Sequence, residues 1–209
     1  RDKLQQLALH NDPHSVYRIS RQLFSPGSVE ELSHQSFSTN GHPSDHPGTD
    51  IVNTISRLEL DGYMANTLLR DTDAMSMAHS LEVRVPLIDN EVAGYVLSLP
   101  GDWKFGPSLQ NVSKPLLAET MADLLPADFL SRRKMGFTLP FEKWLGSQLL
   151  GQVTSVFNDR QSLSTAGLKQ KPVSEMWKRF LKQPQAVGWS RPWAVFVLAR
   201  WCEINKVAP

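Results

Sequence analysis

The feature that most constrains this chain is a helical repeat of apolar and small residues between positions 51 and 69. They recur at intervals of three and four residues, at Ile51, Ile55, Leu58, Gly62, Ala65 and Leu69. This spacing places them on one face of an α-helix of about five turns. Gly62 and Ala65 are small, so the pattern predicts that another helix approaches closely there.

Two shorter helices are predicted after a break at Pro86. Asp89 or Asn90 is suited to cap the first, and Pro100-Gly101 to stop it. Ser113 is suited to cap the second, with Pro115 tolerated in its first turn. The side chains predicted to face inward are Val92, Tyr95, Val96 and Leu99 in the first helix, and Leu117, Met121 and Leu124 in the second.

Three further helices follow, and strand signals are scarce. Pro126 begins a short helix through Leu130, and Pro140 opens another. The inward-facing residues predicted for the second and for a closing helix are Phe141, Trp144 and Leu145, then Trp193, Val197, Trp201 and Ile204. The alternating run from Leu81 to Val85 is extended in pattern but stops at a proline, and one such piece makes no sheet. The predicted fold class is all-α.

Two stretches are typical of loops. Residues 38–49 (STNGHPSDHPGT) are polar and rich in glycine and proline, which predicts a mobile loop. Residues 183–188 are the second candidate loop. With 209 residues and no internal repeat, residues 1–209 are predicted to form one helical domain region.

Composition excludes several classes of function. Apolar residues make up 41% and charged residues 21% of the chain, and its net charge is +1, so nothing points to nucleic acid. The longest apolar run, Trp193 to Ala199, is far shorter than the roughly 20 residues that cross a membrane. The single cysteine, Cys202, excludes a disulfide framework and favours the reducing cytoplasm. The start Arg1-Asp-Lys, with no methionine, suggests a fragment of a longer protein.

Several polar clusters have an ordinary structural interpretation. His42, Asp45 and His46 could bind zinc, but nothing fixes their geometry, so a solvated linker is favoured and no metal site is predicted. His79 follows two methionines and is predicted to be a core or capping residue. Arg70, Asp71, Asp73 and Arg84 have apolar neighbours, which favours a structural ion network.

The most suggestive polar run is Arg132-Arg133-Lys134, which Gly136 and Phe137 follow closely. A glycine permits an unusual backbone turn and a phenylalanine can anchor it, so Lys134 could be held pointing inward. A fixed lysine is a suitable partner for a phosphate. Lys114 is a second, isolated lysine at a predicted helix start.

Two ordered blocks of the sequence resemble the glutamine-dependent asparagine synthetases. Residues 73–89 (DAMSMAHSLEVRVPLID) resemble the family signature D-x-M-S-M-A-x-x-L-E-x-R-V-P-F-L-D. Lys114-Pro-Leu-Leu resembles the family's K-x-x-L segment, and residues 133–145 (RKMGFTLPFEKWL) resemble its R-x-K-x-G-F-x-x-P-x-x-x-W-L block. The resemblance implies the helical C-terminal portion of an adenine-nucleotide-α-hydrolase-like (ATP pyrophosphatase) synthetase domain, without its upstream α/β half.

The resemblance also implies an activity and its site. In the family, MgATP activates the side-chain carboxylate of aspartate as aspartyl-AMP, and ammonia released from glutamine then gives asparagine. Lys134 is the expected catalytic residue and contacts the phosphates, and Lys114 is expected beside the pyrophosphate. The signature block of residues 73–89 is expected to be scaffold. The partners implied are the missing pyrophosphate-loop half and a glutaminase domain; self-association is left open.

The departures from the family pattern limit this expectation. The S-G-G-x-D-S pyrophosphate loop and the S-G-x-G-x-D-E acidic segment are absent, so the chain alone is expected to be inactive and to hold no tightly bound cofactor. Ala74 and Ala118 stand where many relatives carry arginine. Two alternatives remain: a related adenylating amidotransferase whose acceptor leads to a β-lactam, lasso peptide or polysaccharide, and a non-enzymatic helical interaction domain.

Overall fold

The computed structural model describes residues 2–10, 12–35, 50–105, 114–126, 136 and 138–207. In chain order, the α-helices are α1 (Asp2–Leu9), α2 (Pro13–Arg21), α3 (Pro26–Leu32), α4 (Ile51–Glu59), α5 (Arg70–Met77), α6 (Asn90–Ser98), α7 (Gly101–Phe105), α8 (Pro115–Thr120), α9 (Phe141–Leu145), α10 (Leu150–Asn158), α11 (Arg160–Thr165), α12 (Gln170–Lys182), α13 (Pro184–Val187) and α14 (Ser190–Asn205). A π-helical segment, Leu60–Leu69, joins α4 to α5, and a 3₁₀ turn, Pro86–Ile88, precedes α6.

The predicted all-α class is confirmed for this part of the chain. It contains no β-strand, and the extended residues 81–85 remain outside any sheet. Ser33 and Leu168 form an isolated antiparallel bridge. None of the helices within these ranges has the length and apolarity to cross a membrane.

The described residues divide into two compact units. The first comprises residues 3–10, 12–21, 50–105, 114–126 and 136, and therefore α1, α2 and α4 to α8. The second comprises residues 22–35 and 138–207, and therefore α3 and α9 to α14.

In the first unit, the predicted long helix is confirmed and extends to Met77 through the π-helical segment. The Asn66 side chain donates hydrogen bonds to the carbonyl oxygens of Asp61 (2.8 Å) and Gly62 (3.0 Å) within that segment. The close approach predicted at Gly62 is also confirmed, because a Cβ there would lie 3.0 Å from the hydroxyl oxygen of Tyr17 in α2. The small residue therefore lets α2 pack against the long helix.

The start of α7 lies directly against the start of α4. A Cβ built on the buried Gly101 would lie 2.6 Å from an Asp50 carboxylate oxygen and 2.7 Å from the Val52 Cβ. Atoms do not approach that closely without displacement, so only a residue without a side chain fits at this contact.

The predicted inward faces of two helices are partly wrong. In α6, Val96 is half-buried as expected, as is Leu99 directly after the helix, but Val92 and Tyr95 are exposed. In α8, the buried residues are Pro115 and Ala118, whereas the predicted Leu117 and Leu124 are exposed. The turn after Thr120 ends the helix before Leu124, so a pattern that assumed a longer helix does not apply there.

The second unit is built around one apolar core. Trp177 lies at its centre, packed edge-on to Phe157 at 5.6 Å between ring centroids and stacked on Phe180 at 5.4 Å. Such aromatic pairs add about 0.5–1.5 kcal/mol each to the gain from burial. The other residues buried in the same core include Leu145, Val153, Leu163, Val173, Val195, Phe196 and Ala199.

The closing helix α14 packs through a different face from the predicted one. Val197, Trp201 and Ile204 are exposed, and Trp193 is half-buried. The buried residues are Pro192, Val195, Phe196, Ala199 and Cys202. The apolar side chains of this helix occur on several of its faces, so the periodicity alone allows more than one face to be buried. Packing against α10, α11 and α12 selects the face that is buried.

The short helices beside α14 give one confirmation and one correction. Helix α9 begins at Phe141, directly after Pro140 as predicted, and Leu145 is fully buried. Phe141 stacks on Trp189 with ring centroids 4.6 Å apart. The loop predicted at 183–188 is wrong, because it contains the one-turn helix α13, which Gly188 ends with a positive φ of 80°.

Three sequence predictions lie outside the described residues. These are the loop at 38–49, the capping role of Ser113, and the helix from Pro126 to Leu130, of which only Pro126 is described.

We expect Phe157→Ala to lower the free energy of unfolding of the second unit by about 3–5 kcal/mol, because it empties a fully buried site. Urea unfolding followed by tryptophan fluorescence reports this unit, which holds five of the six tryptophans. Val197→Ala, at a position 43% exposed on α14, is the control and should change stability by less than about 0.5 kcal/mol. Equal losses in both variants would contradict this core.

We expect Gly101→Ala to destabilise the first unit by about 1–3 kcal/mol, because the added methyl group must displace Asp50 or Val52. Gly94→Ala is the matched control, since a Cβ there meets no atom within 4 Å in the middle of α6. That change should be neutral or stabilise by up to about 1 kcal/mol. Thermal unfolding followed by circular dichroism measures both, and a harmless Gly101→Ala would refute the close contact.

Candidate functional site

Lys114 occupies an unusual backbone position directly before α8. Its φ of 61° and ψ of 64° lie in the left-handed region, which residues other than glycine seldom adopt. Such a conformation costs on the order of 1–3 kcal/mol and persists only where the surroundings hold it. The side chain of Lys114 is exposed. A strained backbone at an exposed lysine makes this position a candidate functional site.

Helix α8 carries this lysine on a defined support. Pro115 fixes the first helical residue, and the amide of Ala118 donates to the Lys114 carbonyl oxygen at 3.0 Å. Pro115 and Ala118 are buried, and α8 packs against α7. Lys114 therefore lies at the start of a helix that contacts α7.

Helix α7 is in turn held by polar groups at the start of α4. One Asp50 carboxylate oxygen accepts from the Asn53 amide at 2.8 Å, and the other accepts from the Gly101 amide at 2.9 Å. The Asn53 side chain donates to the Leu99 carbonyl oxygen at 3.0 Å, and its own oxygen accepts from the Lys104 ammonium. We call these groups, Asp50, Asn53, Gly101 and Lys104, the α4–α7 clamp.

The electrostatics of the clamp follow from these bonds. The hydrogen bond from the Asn53 amide, followed by that from Gly101, lowers the pKa of Asp50 because both donors favour the carboxylate. Partial burial lowers the pKa of Lys104, since desolvation disfavours the ammonium. Asn53 is itself buried, with its side-chain oxygen and nitrogen both hydrogen-bonded. The clamp is a satisfied polar network rather than a reactive one.

Lys134, the other lysine predicted for the site, lies outside the described residues, together with Arg132, Arg133 and Phe137. Gly136 is described and exposed, and a Cβ there would meet no atom of the described residues within 4 Å.

Of the polar residues given structural interpretations, one cluster lies outside the described residues and His79 differs from expectation. His42, Asp45 and His46 lie outside the described residues, and no group of three metal-binding side chains occurs within the described ones. His79 is exposed in the turn after α5, so the predicted core role is wrong.

The predicted ion network around Arg70 is not formed among the described residues. Asp71 and Asp73 are exposed there, and Arg84 pairs instead with Glu82 at 2.6 Å in a solvated contact. These charges lie at the surface, so their apolar sequence neighbours did not indicate burial.

The segment that carries the sequence signature, residues 73–89, lies at the surface of the first unit. Large apolar side chains there are more than half exposed, at Met75, Met77, Leu81, Val83 and Leu87. In the extended part, Leu81, Val83 and Val85 alternate with the paired Glu82 and Arg84. A block expected to be scaffold is therefore not buried within its own unit.

Sequence reasoning missed the α4–α7 clamp. A signal for part of it was present, because Asp50 stands immediately before the apolar helical repeat, where an N-cap is expected. No local pattern indicates that the same carboxylate bonds Gly101, which lies 51 residues further along the chain.

Comparison with known proteins gives a consistent result. The profile of the family described as asparagine synthase matches residues 3–203. Asparagine synthetase [glutamine-hydrolyzing] 1 of Bacillus subtilis is 25% identical over 154 residues, which are 74% of this chain and 23% of that protein. Asparagine synthetase [glutamine-hydrolyzing] of Mus musculus is 41% identical over 68 residues, which are 32% of this chain and 12% of that protein.

A putative asparagine synthetase [glutamine-hydrolyzing] of Mycobacterium bovis is 33% identical over 98 residues, which are 47% of this chain and 15% of that protein. The chain thus spans about a quarter or less of the length of these relatives. No solved structure gives a significant match. Because the family profile covers nearly the whole chain and both sequence blocks lie within that match, the chain belongs to the asparagine synthase family.

Proposed function

We propose that this chain is the C-terminal helical part of an ATP-dependent, glutamine-hydrolysing asparagine synthetase. The complete protein converts aspartate, ATP and glutamine-derived ammonia into asparagine, AMP and pyrophosphate. The observation that carries the proposal is the family match across residues 3–203, supported by relatives whose names specify glutamine hydrolysis. The single buried thiol, Cys202, is compatible with work in the cytoplasm.

The two lysines would act on the phosphates of ATP. When the aspartate carboxylate attacks the α-phosphate, negative charge develops there and on the departing pyrophosphate. A preorganised cation stabilises that charge more in the transition state than in the ground state. We assign this catalytic role to Lys134 and a pyrophosphate contact to Lys114. Magnesium, when bound, would neutralise further phosphate charge.

The geometry around Lys114 fits an anionic ligand. Its side chain is exposed, while its backbone is fixed by Pro115 and by the hydrogen bond from Ala118. An ammonium group on a fixed backbone can meet a phosphate without first giving up a buried protein partner. The described residues offer no carboxylate cluster for magnesium, so we assign that ion to the upstream part of the synthetase.

The exposed signature segment supports the proposal that an upstream part covers this chain. Five large apolar side chains between Met75 and Leu87 are more than half exposed, among them Leu81 at 60% and Met75 at 69%, and such exposure is typical of a surface that packs on a partner. In the Bacillus subtilis relative, more than three quarters of the protein has no counterpart in this chain. We infer that the pyrophosphate-loop half of the domain packs on residues 75–87 and that a glutaminase domain supplies ammonia.

A related amidotransferase with another acceptor is the second candidate. Ala118, one turn after Lys114, is buried in α8. The family resemblance places an arginine there in many relatives, so a charge that could contact a substrate would be replaced by a methyl group in this chain. ATP–pyrophosphate exchange, scanned over carboxylate acceptors with the complete protein, separates the two. If none of the acceptors supports ATP–pyrophosphate exchange, a non-enzymatic helical interaction domain is favoured.

We expect Lys134→Ala in the complete synthetase to reduce aspartate-dependent ATP–pyrophosphate exchange by a factor on the order of 10²–10³, as for loss of one transition-state contact. Lys178→Ala is the matched control, because Lys178 is exposed on α12 and belongs to neither sequence block. Unchanged exchange in Lys134→Ala, with partner binding or folding lost instead, would exclude the catalytic assignment.

We expect the 209-residue chain alone to bind MgATP poorly and to form no asparagine. It contributes isolated lysines but lacks the S-G-G-x-D-S loop, whose backbone amides would hold the phosphates. Isothermal titration calorimetry with MgATP tests this, with MgCl₂ alone as the control titration. Tight, magnesium-dependent ATP binding would show that the chain carries a complete nucleotide site.

A further inference from the structure

We propose that Asp50 is a positioning residue for Lys114. Its carboxylate would hold the start of α7 against the start of α4, and the contact of α7 with α8 would carry that constraint to Lys114. This inference rests on the proposed function for the role of Lys114, whereas the mechanical coupling can be tested without it.

The bonds of Asp50 exceed what a helix cap requires. An N-cap needs only one acceptor for an amide in the first turn, and the Asn53 amide at 2.8 Å meets that need. The second carboxylate oxygen bonds the Gly101 amide at 2.9 Å and the Asn53 side-chain amide at 3.0 Å. A single side chain therefore joins the start of α4 to Gly101, the start of α7, which lies 51 residues after Asp50 in the chain.

The segment that enters α7 is held at three successive points. Asn53 bonds the Leu99 carbonyl oxygen, Asp50 bonds the Gly101 amide, and the Lys104 ammonium bonds the Asn53 side-chain oxygen. Asn53 is only 5% exposed, so its amide group would be costly to leave unpaired. Loss of the Asp50 carboxylate would therefore disturb the entire entry to α7.

The contact between Gly101 and Asp50 is also too close to accept a side chain at position 101. The nearest Asp50 oxygen lies 2.6 Å from where a Cβ on Gly101 would be. The two chain segments thus meet backbone against carboxylate, which fixes their separation more tightly than side-chain packing alone.

The step from α7 to Lys114 passes through α8. Helix α8 contacts α7, and it has six residues, too few to be stable by itself. The left-handed backbone of Lys114 also requires support from its surroundings. If α7 shifts, α8 loses a packing surface and Lys114 loses its fixed conformation.

Asp159 provides an internal comparison for this role. It also caps a helix, accepting from the Gln161 amide at 2.9 Å and from the Ser162 hydroxyl at 2.6 Å, and its pKa is likewise lowered by these bonds. All these contacts lie within α11 of the second unit. A capping effect alone should appear equally at both aspartates, whereas positioning should appear at Asp50 only.

The test uses Asp50→Ser in the full 209-residue chain. Serine caps a helix about as well as aspartate, but its one oxygen, on a shorter side chain, does not replace the two carboxylate oxygens by which Asp50 bonds Asn53 and Gly101. Amide hydrogen exchange, read by mass spectrometry, follows α4, α7, α8 and α11 separately. We expect exchange in α7 and α8 to rise by about tenfold or more, as for one charge-assisted hydrogen bond, with α4 nearly unchanged.

Asp159→Ser is the matched control: serine keeps the cap there as well, so amide hydrogen exchange should change little in α11 and not at all in α7 and α8. Unchanged exchange of α8 in Asp50→Ser would overturn the proposal, as would an equal rise in every helix of the chain. If Asp50→Ser fails to fold, Lys104→Met replaces it, because that change removes one clamp bond and keeps the Asp50 cap. The same pattern of exchange supports the proposal, and an unaffected α8 refutes it.

A functional arm uses a double-mutant cycle in the complete synthetase. Asp50→Ser should raise the KM for pyrophosphate in the exchange assay, and this effect should shrink to less than about twofold when Lys114→Ala is already present. A general loss of stability would instead act equally in both backgrounds and would refute action through Lys114. If the unaltered complete protein shows no ATP–pyrophosphate exchange, the proposed function is refuted. Amide hydrogen exchange in the 209-residue chain still tests whether Asp50 acts on α7 and α8.

Discussion

The second unit depends on the burial of part of each short helix against its neighbours. Helices of five to nine residues, such as α9 and α10, are not stable alone in water, because too few backbone hydrogen bonds offset the ordering of the chain. In the second unit this burial converges on Trp177, Phe157 and Phe180. The remaining helices adopt their positions because that aromatic centre offers them a surface.

The first unit solves the same problem with more polar contacts. Its largest helix is half-buried along most of its length, and the approach of α2 is made possible by the absence of a side chain at Gly62. The α4–α7 clamp adds hydrogen bonds where apolar burial is sparse. The exposed apolar side chains at residues 75–87 are the observation behind our proposal that a further part of a synthetase packs there.

The candidate site combines a strained residue with a satisfied network. Lys114 has the exposed side chain and the unusual backbone that a ligand-binding lysine can use, whereas Asp50, Asn53 and Lys104 are engaged with one another. Lys114 is suited to contact a phosphate, whereas the clamp residues are suited to hold α7 in place. Sequence identified Lys114 through its resemblance to a family motif, but gave no indication of the support, because the bond from Gly101 to Asp50 spans 51 residues.

The sequence by itself determined the helical class, the long helix beginning at Ile51, a cap at Asp89 or Asn90 and the family, since these follow from local spacing and from two ordered motifs. The structure selects Asp89 as that cap. Tertiary structure decided which face each helix buries. In α14, Trp201 is exposed and Ala199 is buried, although both are apolar. Periodicity shows which faces of a helix could be buried. The shape of the neighbouring helices decides which of these faces is buried, because close packing depends on fit as well as on hydrophobicity.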